Sequence, residues 1–330
     1  MTAMDEQMWR RYVDAARLAP SKHNAQPWWF EVSPDGSSIE IHADGARAMP
    51  ASDPEGRELV IGCGAALYNL CLAIRHDGHE PLAVLFPDGA AFSVVARVTL
   101  DGAHRVTDEE RRLFAAIPER HSNRNPLDRA GLDPHVPFLL QDAAASESAT
   151  LHLVTKHGAR HAVRDLLIHA DNASARDPRI EAELHQWIRP PDVLAPDGIP
   201  ATAVGRGAAA SYRASFVQRD FDVHGARPSG RPDTPGNHDD PLVGVLWTPE
   251  DRPAHWLRAG SALEAVLLTA TAHGAAASLL NQPIEIPALR SALRTELALP
   301  GHPQAIVRVG IGAPVPPTPR RPVDDIVLRP

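Results

Sequence analysis

The chain has 330 residues, 43% of them hydrophobic, with a formal net charge of -8 and an isoelectric point near 6.1. That much apolar side chain can fill a sizeable core, which excludes disorder as the default, and the acidic balance argues against a general nucleic-acid partner, which needs a basic stripe facing phosphates. The two cysteines, Cys63 and Cys71, cannot build a cysteine-ligated zinc or iron-sulfur centre, and their spacing within one helix rules out a disulfide between them.

In chain order, the first helix is expected over roughly Met4 to Leu18, stopped by Pro20 and Ser21. Trp28 to Val32 and Ile39 to His42 read as a hairpin turning at Pro34, Asp35 and Gly36. A second helix from Gly56 to His76, rich in Ala, Leu and Cys, ends at Gly78 and precedes strands Leu82 to Phe86 and Ser93 to Leu100. Helices near Asp108 to Ala116, Pro137 to Ala145 and Arg160 to Ala170 follow, with a strand at Leu151 to Thr155. From Pro190 to Pro241 the composition shifts to Pro, Gly, Asp and Arg, with a short helix over Ala208 to Arg219; so long a connection reads as a lid. Order resumes with strand Leu242 to Thr248, helices His255 to Ala272 and Ile286 to Ala298, and strand Ala305 to Ile311. A Pro-rich basic end follows, expected to wrap over another part of the chain. The most apolar stretch, Ser261 to Leu280, is interrupted by Glu264 and His273 and reads as a buried core helix; no membrane span and a cytoplasmic location are the expectation.

The two halves echo one another. Asp53, Leu59, Gly62 and Leu70 align with Asp251, Leu257, Gly260 and Leu268 at a constant offset, each set on a long Ala/Leu-rich helix. A duplication would pack these helices as a pseudo-twofold pair, like the interface of a homodimer.

Three polar clusters stand at loops or helix ends. Pro20-Ser21-Lys22-His23-Asn24-Ala25-Gln26-Pro27-Trp28 is consistent with a capped turn before a strand. Arg120-His121-Ser122-Asn123-Arg124 puts two guanidiniums and a hydroxyl within five residues, a set suited to phosphate because Arg binds it through a planar fork, although a solvated basic turn has the same composition. Asn281-Gln282-Pro283-Ile284-Glu285 and Arg320-Arg321-Pro322 read, by themselves, as helix punctuation and a solubilising tail. His157 and His161 have the spacing of a helical metal pair without an accompanying carboxylate motif, and no metal site is expected.

Taken together, the clusters resemble the nitroreductase superfamily and its internally duplicated, actinobacterial Acg-like branch of FMN-binding proteins, over nearly the whole chain. The resemblance implies an α+β nitroreductase-like fold, with a first half at 1-117, a second half at 118-330 that includes a lid at about 190-241, and an intrachain pseudo-dimer. It places Pro20, Ser21, Lys22 and Asn24 over the flavin ring. It puts Arg120, Ser122 and Arg124 on the FMN phosphate and ribityl chain, with His121 as a backbone contact. Gln282, Pro283 and Ile284 fall at the flavin N5 edge, and Arg320 and Arg321 reach the phosphate from the tail. The motif order departs from an ordinary nitroreductase. The first half opens directly on Pro20-Ser21 with no phosphate motif upstream, and the second has only Ala145-Ser146-Glu147-Ser148-Ala149-Thr150 where its own ring loop would lie. One composite FMN per chain is therefore implied.

The implied activity is an FMN-dependent oxidoreductase passing electrons from NAD(P)H or a substrate to an unidentified small-molecule acceptor, with no protein side chain as acid or nucleophile. An FMN-sequestering or storage protein with a closed lid is the alternative, and a flavin-free interaction module the third reading. A monomer and a homodimer are both compatible. Replacing Arg120 and Arg124 by alanine is expected to weaken FMN binding while leaving the fold largely intact.

Overall fold

Two antiparallel sheets are built from strands that bury most of their apolar residues, Leu82 and Val84 being exposed. In the first, Trp28–Val32 (β1), Ser38–Ala43 (β2), His79–Leu85 (β3) and Val94–Ala103 (β4) lie in the order β1-β2-β4-β3. In the second, Thr150–Leu153 (β5), Leu242–Thr248 (β8), Ala276–Leu279 (β9) and His302–Gly310 (β10) lie in the order β5-β8-β10-β9, which is the same first-second-fourth-third arrangement. All pairings among these strands are antiparallel in both sheets. Ile188–Arg189 (β6) and Ile199–Pro200 (β7) form a separate parallel pair. This computed structural model describes residues 3–89, 93–190, 192–200, 203, 216, 219, 221 and 239–328.

In each sheet a 20-residue helix connects the second strand to the third: Arg57–His76 (α2) and Pro253–Ala272 (α7). Each ends two residues before a glycine with positive φ, Gly78 at 86° and Gly274 at 73°, a conformation that Cβ-bearing residues adopt only at a cost. By length and composition α2 could cross a bilayer, but 78% of its apolar window is buried. It packs against α7 along glycines. A Cβ on Gly64 would overlap Leu257 O and a Cβ on Gly260 would overlap Ile61 O, so only bare backbone fits at this crossing. The contact is reciprocal, Gly64 meeting Leu257 as Gly260 meets Ile61, which makes Gly64 the counterpart of Gly260 and Ile61 that of Leu257. That register lies two residues from the one read in the sequence, which had aligned Gly62 with Gly260.

The remaining α-helices among the described residues are Glu6–Ala16 (α1), Asp108–Ala116 (α3), Val136–Ser146 (α4), His157–Ser174 (α5), Pro178–Trp187 (α6), Gln282–Glu285 (α8) and Pro287–Glu296 (α9). Three details differ from the sequence reading, and a fourth expectation falls largely on residues that are not described. The stretch Ser261 to Leu280 is not one helix, because α7 ends at Ala272 and the chain turns at Gly274 into β9. Helix α6, N-capped by Asp177, was not anticipated. The helix expected over Ile286 to Ala298 runs over Pro287–Glu296, with extended backbone at Ile286 separating it from the short α8. Apart from Phe216 and Arg219, the short helix expected over Ala208 to Arg219, and with it most of the expected lid, lies outside the described residues. The Pro-rich end does cross to the other sheet: Val327–Leu328 (β11) adds to β1 in parallel, with Phe30 opposite Val327.

Candidate functional site

The loop that leaves α1 is held in an unfavourable backbone shape. His23, Asn24 and Gln26 all have positive φ, at 49°, 56° and 51°, and none is glycine. Each such residue costs on the order of 1 kcal/mol, so the surroundings must enforce the shape. Gln26 N donates to Ser21 Oγ at 2.8 Å. Asn24 Nδ2 donates to Gly198 O at 3.0 Å and Pro319 O at 2.9 Å, and Gln26 Nε2 donates to Pro196 O at 2.9 Å. Gln26 Oε1 accepts from Arg321 N at 2.8 Å. The loop is thus clamped between the 196–198 segment and the C-terminal tail, and its other side, Pro20, Ser21, Lys22 and His23, lines a cavity.

The Arg-His-Ser motif follows α3 and divides between two environments. Ser122 bridges to Ala277 of β9, and Asn123 N donates to Ala277 O at 2.8 Å. Beneath this turn the buried Arg308 of β10 donates to Ser278 Oγ at 2.6 Å, to Asn123 O at 3.0 Å and to Asn125 O at 2.9 Å, and pairs with Asp239 at 3.1 Å. So anchored, Ser122 and Arg124 line the same cavity as Ser21 and Lys22. Arg124 is enclosed, donates to Ala203 O at 2.8 Å and lies over the Phe221 ring at 4.6 Å. Burial and the neighbouring Arg308 push its pKa down to about 10, which still leaves it charged at neutral pH. Among the described residues no carboxylate pairs with it.

Arg120 turns the other way, into the core. Its Nε is 3.4 Å from Glu264 of α7, and its Nη2 donates to Leu18 O at 3.2 Å. Arg320 donates to the same carbonyl at 3.2 Å and to Ala19 O at 3.3 Å, and its pKa falls to about 9 because it is buried beside Arg120. Arg321 reaches Trp28 O and Asp325 O. His121 is half-buried, its pKa lowered by burial and by Arg120 and Arg320.

The remaining walls come from α2 (Glu58, Ile61, Gly62, Ala65), Leu263 of α7, Ser278 and Leu279 of β9, and the α8 end, where Asn281, Gln282 and Glu285 lie. The cavity itself measures about 110 Å³ and opens to solvent through its mouth. At one side Lys22 Nζ meets Glu58 Oε2 at 2.5 Å and Glu285 Oε1 at 3.2 Å, and Arg219 meets Glu285 Oε2 at 2.6 Å. Burial opposes each charge, but Glu285 and Glu58 raise the Lys22 pKa above its ordinary value, while Arg219 and Lys22 hold Glu285 below the usual carboxylate range. Three cations, Lys22, Arg124 and Arg219, therefore face two carboxylates around the cavity. The buried Gln282 Nε2 has no hydrogen-bond partner among the described residues.

Of the residues singled out from the sequence, the fold brings Pro20, Ser21, Lys22, Ser122, Arg124 and Gln282 to one cavity; Asn24, Arg120, His121, Pro283, Ile284, Arg320 and Arg321 do not line it. His23, Glu58, Arg219, Phe221 and Glu285 line it without having been assigned a role. His23 and Glu285 lay inside quoted clusters, whereas nothing local marks Glu58, Arg219 or Phe221.

No protein-family profile matches the chain. In sequence it is 31% identical over 323 residues to a Mycobacterium tuberculosis protein named "Putative NAD(P)H nitroreductase acg", covering 95% of this chain and 93% of that one. A second M. tuberculosis protein, named in the same way as Rv3131, is 31% identical over 330 residues, covering 98% and 92%. A nitroreductase structure with bound FMN from Desulfitobacterium hafniense is similar with a TM-score of 0.40 at 12% identity, covering 66% of this chain and 97% of that one.

Proposed function

The chain belongs to the nitroreductase family that includes the acg protein, and from that premise we propose that it is an FMN-dependent oxidoreductase holding one flavin per chain in the cavity between its halves. The observation that carries the reading is Arg124: a half-buried guanidinium that lines the cavity, with no carboxylate beside it among the described residues, is a place for an anion, and the flavin's phosphate is one. The lining suits the rest of the group. Ile61, Ala65, Leu263, Leu279 and Phe221 offer apolar surface to a flat ring, and Ser21, Ser122, Asn281 and Gln282 offer polar atoms for its edges. When bound, FMN supplies the redox chemistry, accepting a hydride at N5 from NAD(P)H or a substrate and passing electrons to an acceptor.

The chain's own residues bind, orient and neutralise. Arg124, with Ser122, would hold the phosphate. Ser21 is positioned by Gln26, and its hydroxyl hydrogen remains available to donate. Gln282 Nε2 is a donor in reserve for the negative charge that a reduced ring gathers, a role that favours reduction without proton transfer by the protein. The matching strand order of the two sheets and the reciprocal contact of α2 with α7 support an internal duplication, with halves at 1-117 and 118-330 and the tail strand β11 exchanged back to the first. Arg120 and Arg320 then act behind the loop, fixing Leu18 and Ala19, so that their part in cofactor binding is to shape the loop.

Steady-state oxidation of NAD(P)H by the flavin-loaded chain, with a quinone or a nitroaromatic acceptor, tests the activity. Turnover at several per second is expected. A yellow protein that turns over with neither acceptor favours sequestration or storage instead, a reading supported by Arg219 and Phe221 of the 190–241 segment, which close one side of the cavity.

A further inference from the structure

The first sheet carries a second cluster of ligand-type side chains, none of which lines the flavin cavity. Glu31 of β1 is paired directly with Glu40 of β2, and Trp29, two residues earlier on the same face, is paired directly with His42 in the same ladder. Pairing register therefore gathers two carboxylates and an imidazole that lie far apart in local pattern. His42 Nε2 is 3.5 Å from Glu31 Oε2 and 3.3 Å from Glu40 Oε2, and one donor atom from each residue falls within 4.8 Å of the others.

Two observations set this cluster apart from an ordinary acidic surface. His42 is only 6% exposed, and neither of its ring nitrogens has a hydrogen-bond partner among the described residues, although a buried imidazole ordinarily satisfies both. The Trp29 indole lies flat on the His42 ring, with centroids 3.6 Å apart and planes 11° apart, which fixes the orientation that brings Nε2 to the carboxylates. The charges are also unbalanced. Like charges directly opposite in a ladder repel. Arg97 of β4 answers Glu40 through its other oxygen, at 2.6 Å, but Glu31 has no basic neighbour other than the imidazole among the described residues.

We propose that Glu31, Glu40 and His42 form a binding site for one divalent transition-metal ion of the zinc class. Two carboxylate oxygens and one imidazole nitrogen form a donor set that Zn2+ accepts, with a position left for water. An ion there would cancel the repulsion between the carboxylates and occupy the unpartnered nitrogen, while Arg97 orients Glu40 from behind as an outer partner. The Glu31 side chain is 48% exposed, which gives an entry path. The bound metal would cross-link β1 to β2, the hairpin that begins at Trp28 where the cavity loop ends. This departs from the absence of a metal site expected from sequence, which weighed the two cysteines and the His157 and His161 pair; that exposed pair has nitrogens 3.1 Å apart and no third ligand among the described residues.

The test is a Zn2+ titration of chelator-stripped protein by calorimetry, with bound metal counted after dialysis, in a His157→Ala/His161→Ala background that removes the exposed pair. One Zn2+ per chain is expected, together with a rise in thermal midpoint on adding the metal. Glu31→Gln, at a half-exposed position that leaves the fold intact, should weaken Zn2+ binding by at least about tenfold and abolish the rise, and His42→Gln should do the same. Absence of stoichiometric zinc in this background, or binding undiminished by Glu31→Gln, overturns the proposal and leaves an ion cluster closed by a proton.

Discussion

Among the described residues Arg124 lines the cavity with no carboxylate beside it, whereas Arg120, from the same motif, reaches Glu264 at 3.4 Å in the core. Their alanine variants should therefore fail differently. Arg124→Ala removes a charge-assisted contact of about 2 to 3 kcal/mol, and flavin fluorescence titration should show FMN binding weakened by more than about thirtyfold, with the far-ultraviolet circular dichroism unchanged. Arg120→Ala strands a fully buried carboxylate, and a loss of roughly 3 kcal/mol in stability is expected in urea unfolding. That outcome differs from the sequence expectation that replacing both leaves the fold largely intact, and the unfolding measurement decides between them. Glu264 itself gives a pH signature. Burial raises its carboxyl from 4.5 to about 7, against the pull of Arg120 and Arg320. The unfolded chain releases this proton first as pH rises, so the contribution is whole below pH 4.5 and is lost as pH passes through 7, by up to roughly 3 kcal/mol. Relative to Glu264→Gln, the natural chain should lose stability across that window. Parallel stability curves would show that Glu264 is ionised throughout.

The α2–α7 crossing is the element-scale feature on which the rest is mounted, because α2 and α7 each contribute to the cavity as well as to the core. Gly64→Ala and Gly260→Ala each push a methyl into backbone that cannot rotate away, and thermal unfolding should show losses of about 3 kcal/mol. Gly62→Ala should leave stability nearly unchanged, since its nearest neighbours, Pro27 Cγ and Ser21 Cβ, lie at 3.4 Å. Equal effects at the three positions would refute the register. The sequence aligned Gly62 with Gly260 because Leu and Gly recur along both helices; what singles out Gly64 is the approach of a second backbone, which one strand of text does not show. Long elements were legible wherever an apolar pattern met punctuation: α3 and β8 fall on the residues expected, and α2 stops before Gly78 as foreseen. Strand β9 was missed because Ala275 to Leu280 continues the composition of α7, and α6 was missed because its start at Asp177 and Pro178 merges with the Pro-rich segment beyond.

At the scale of the whole molecule, two sheets of the same strand order meet through α2 and α7, and the cavity takes one wall from the Ser21 loop and another from the Ser122 turn. Both walls were readable as motifs because each is contiguous in sequence. The ion cluster of Lys22, Glu58, Glu285 and Arg219 was not, since folding gathers it from four separate segments. Nor could sequence divide the motif's arginines between cavity and core, a division set by where Glu264 lies on the opposing helix. The central claim is one flavin per chain, bound where the two halves meet. Saturating the purified chain with FMN, removing the excess by gel filtration and measuring flavin absorbance against polypeptide concentration tests it most directly: the expected ratio is one, lost in Arg124→Ala, and a ratio of two, or no retained flavin at all, would contradict it.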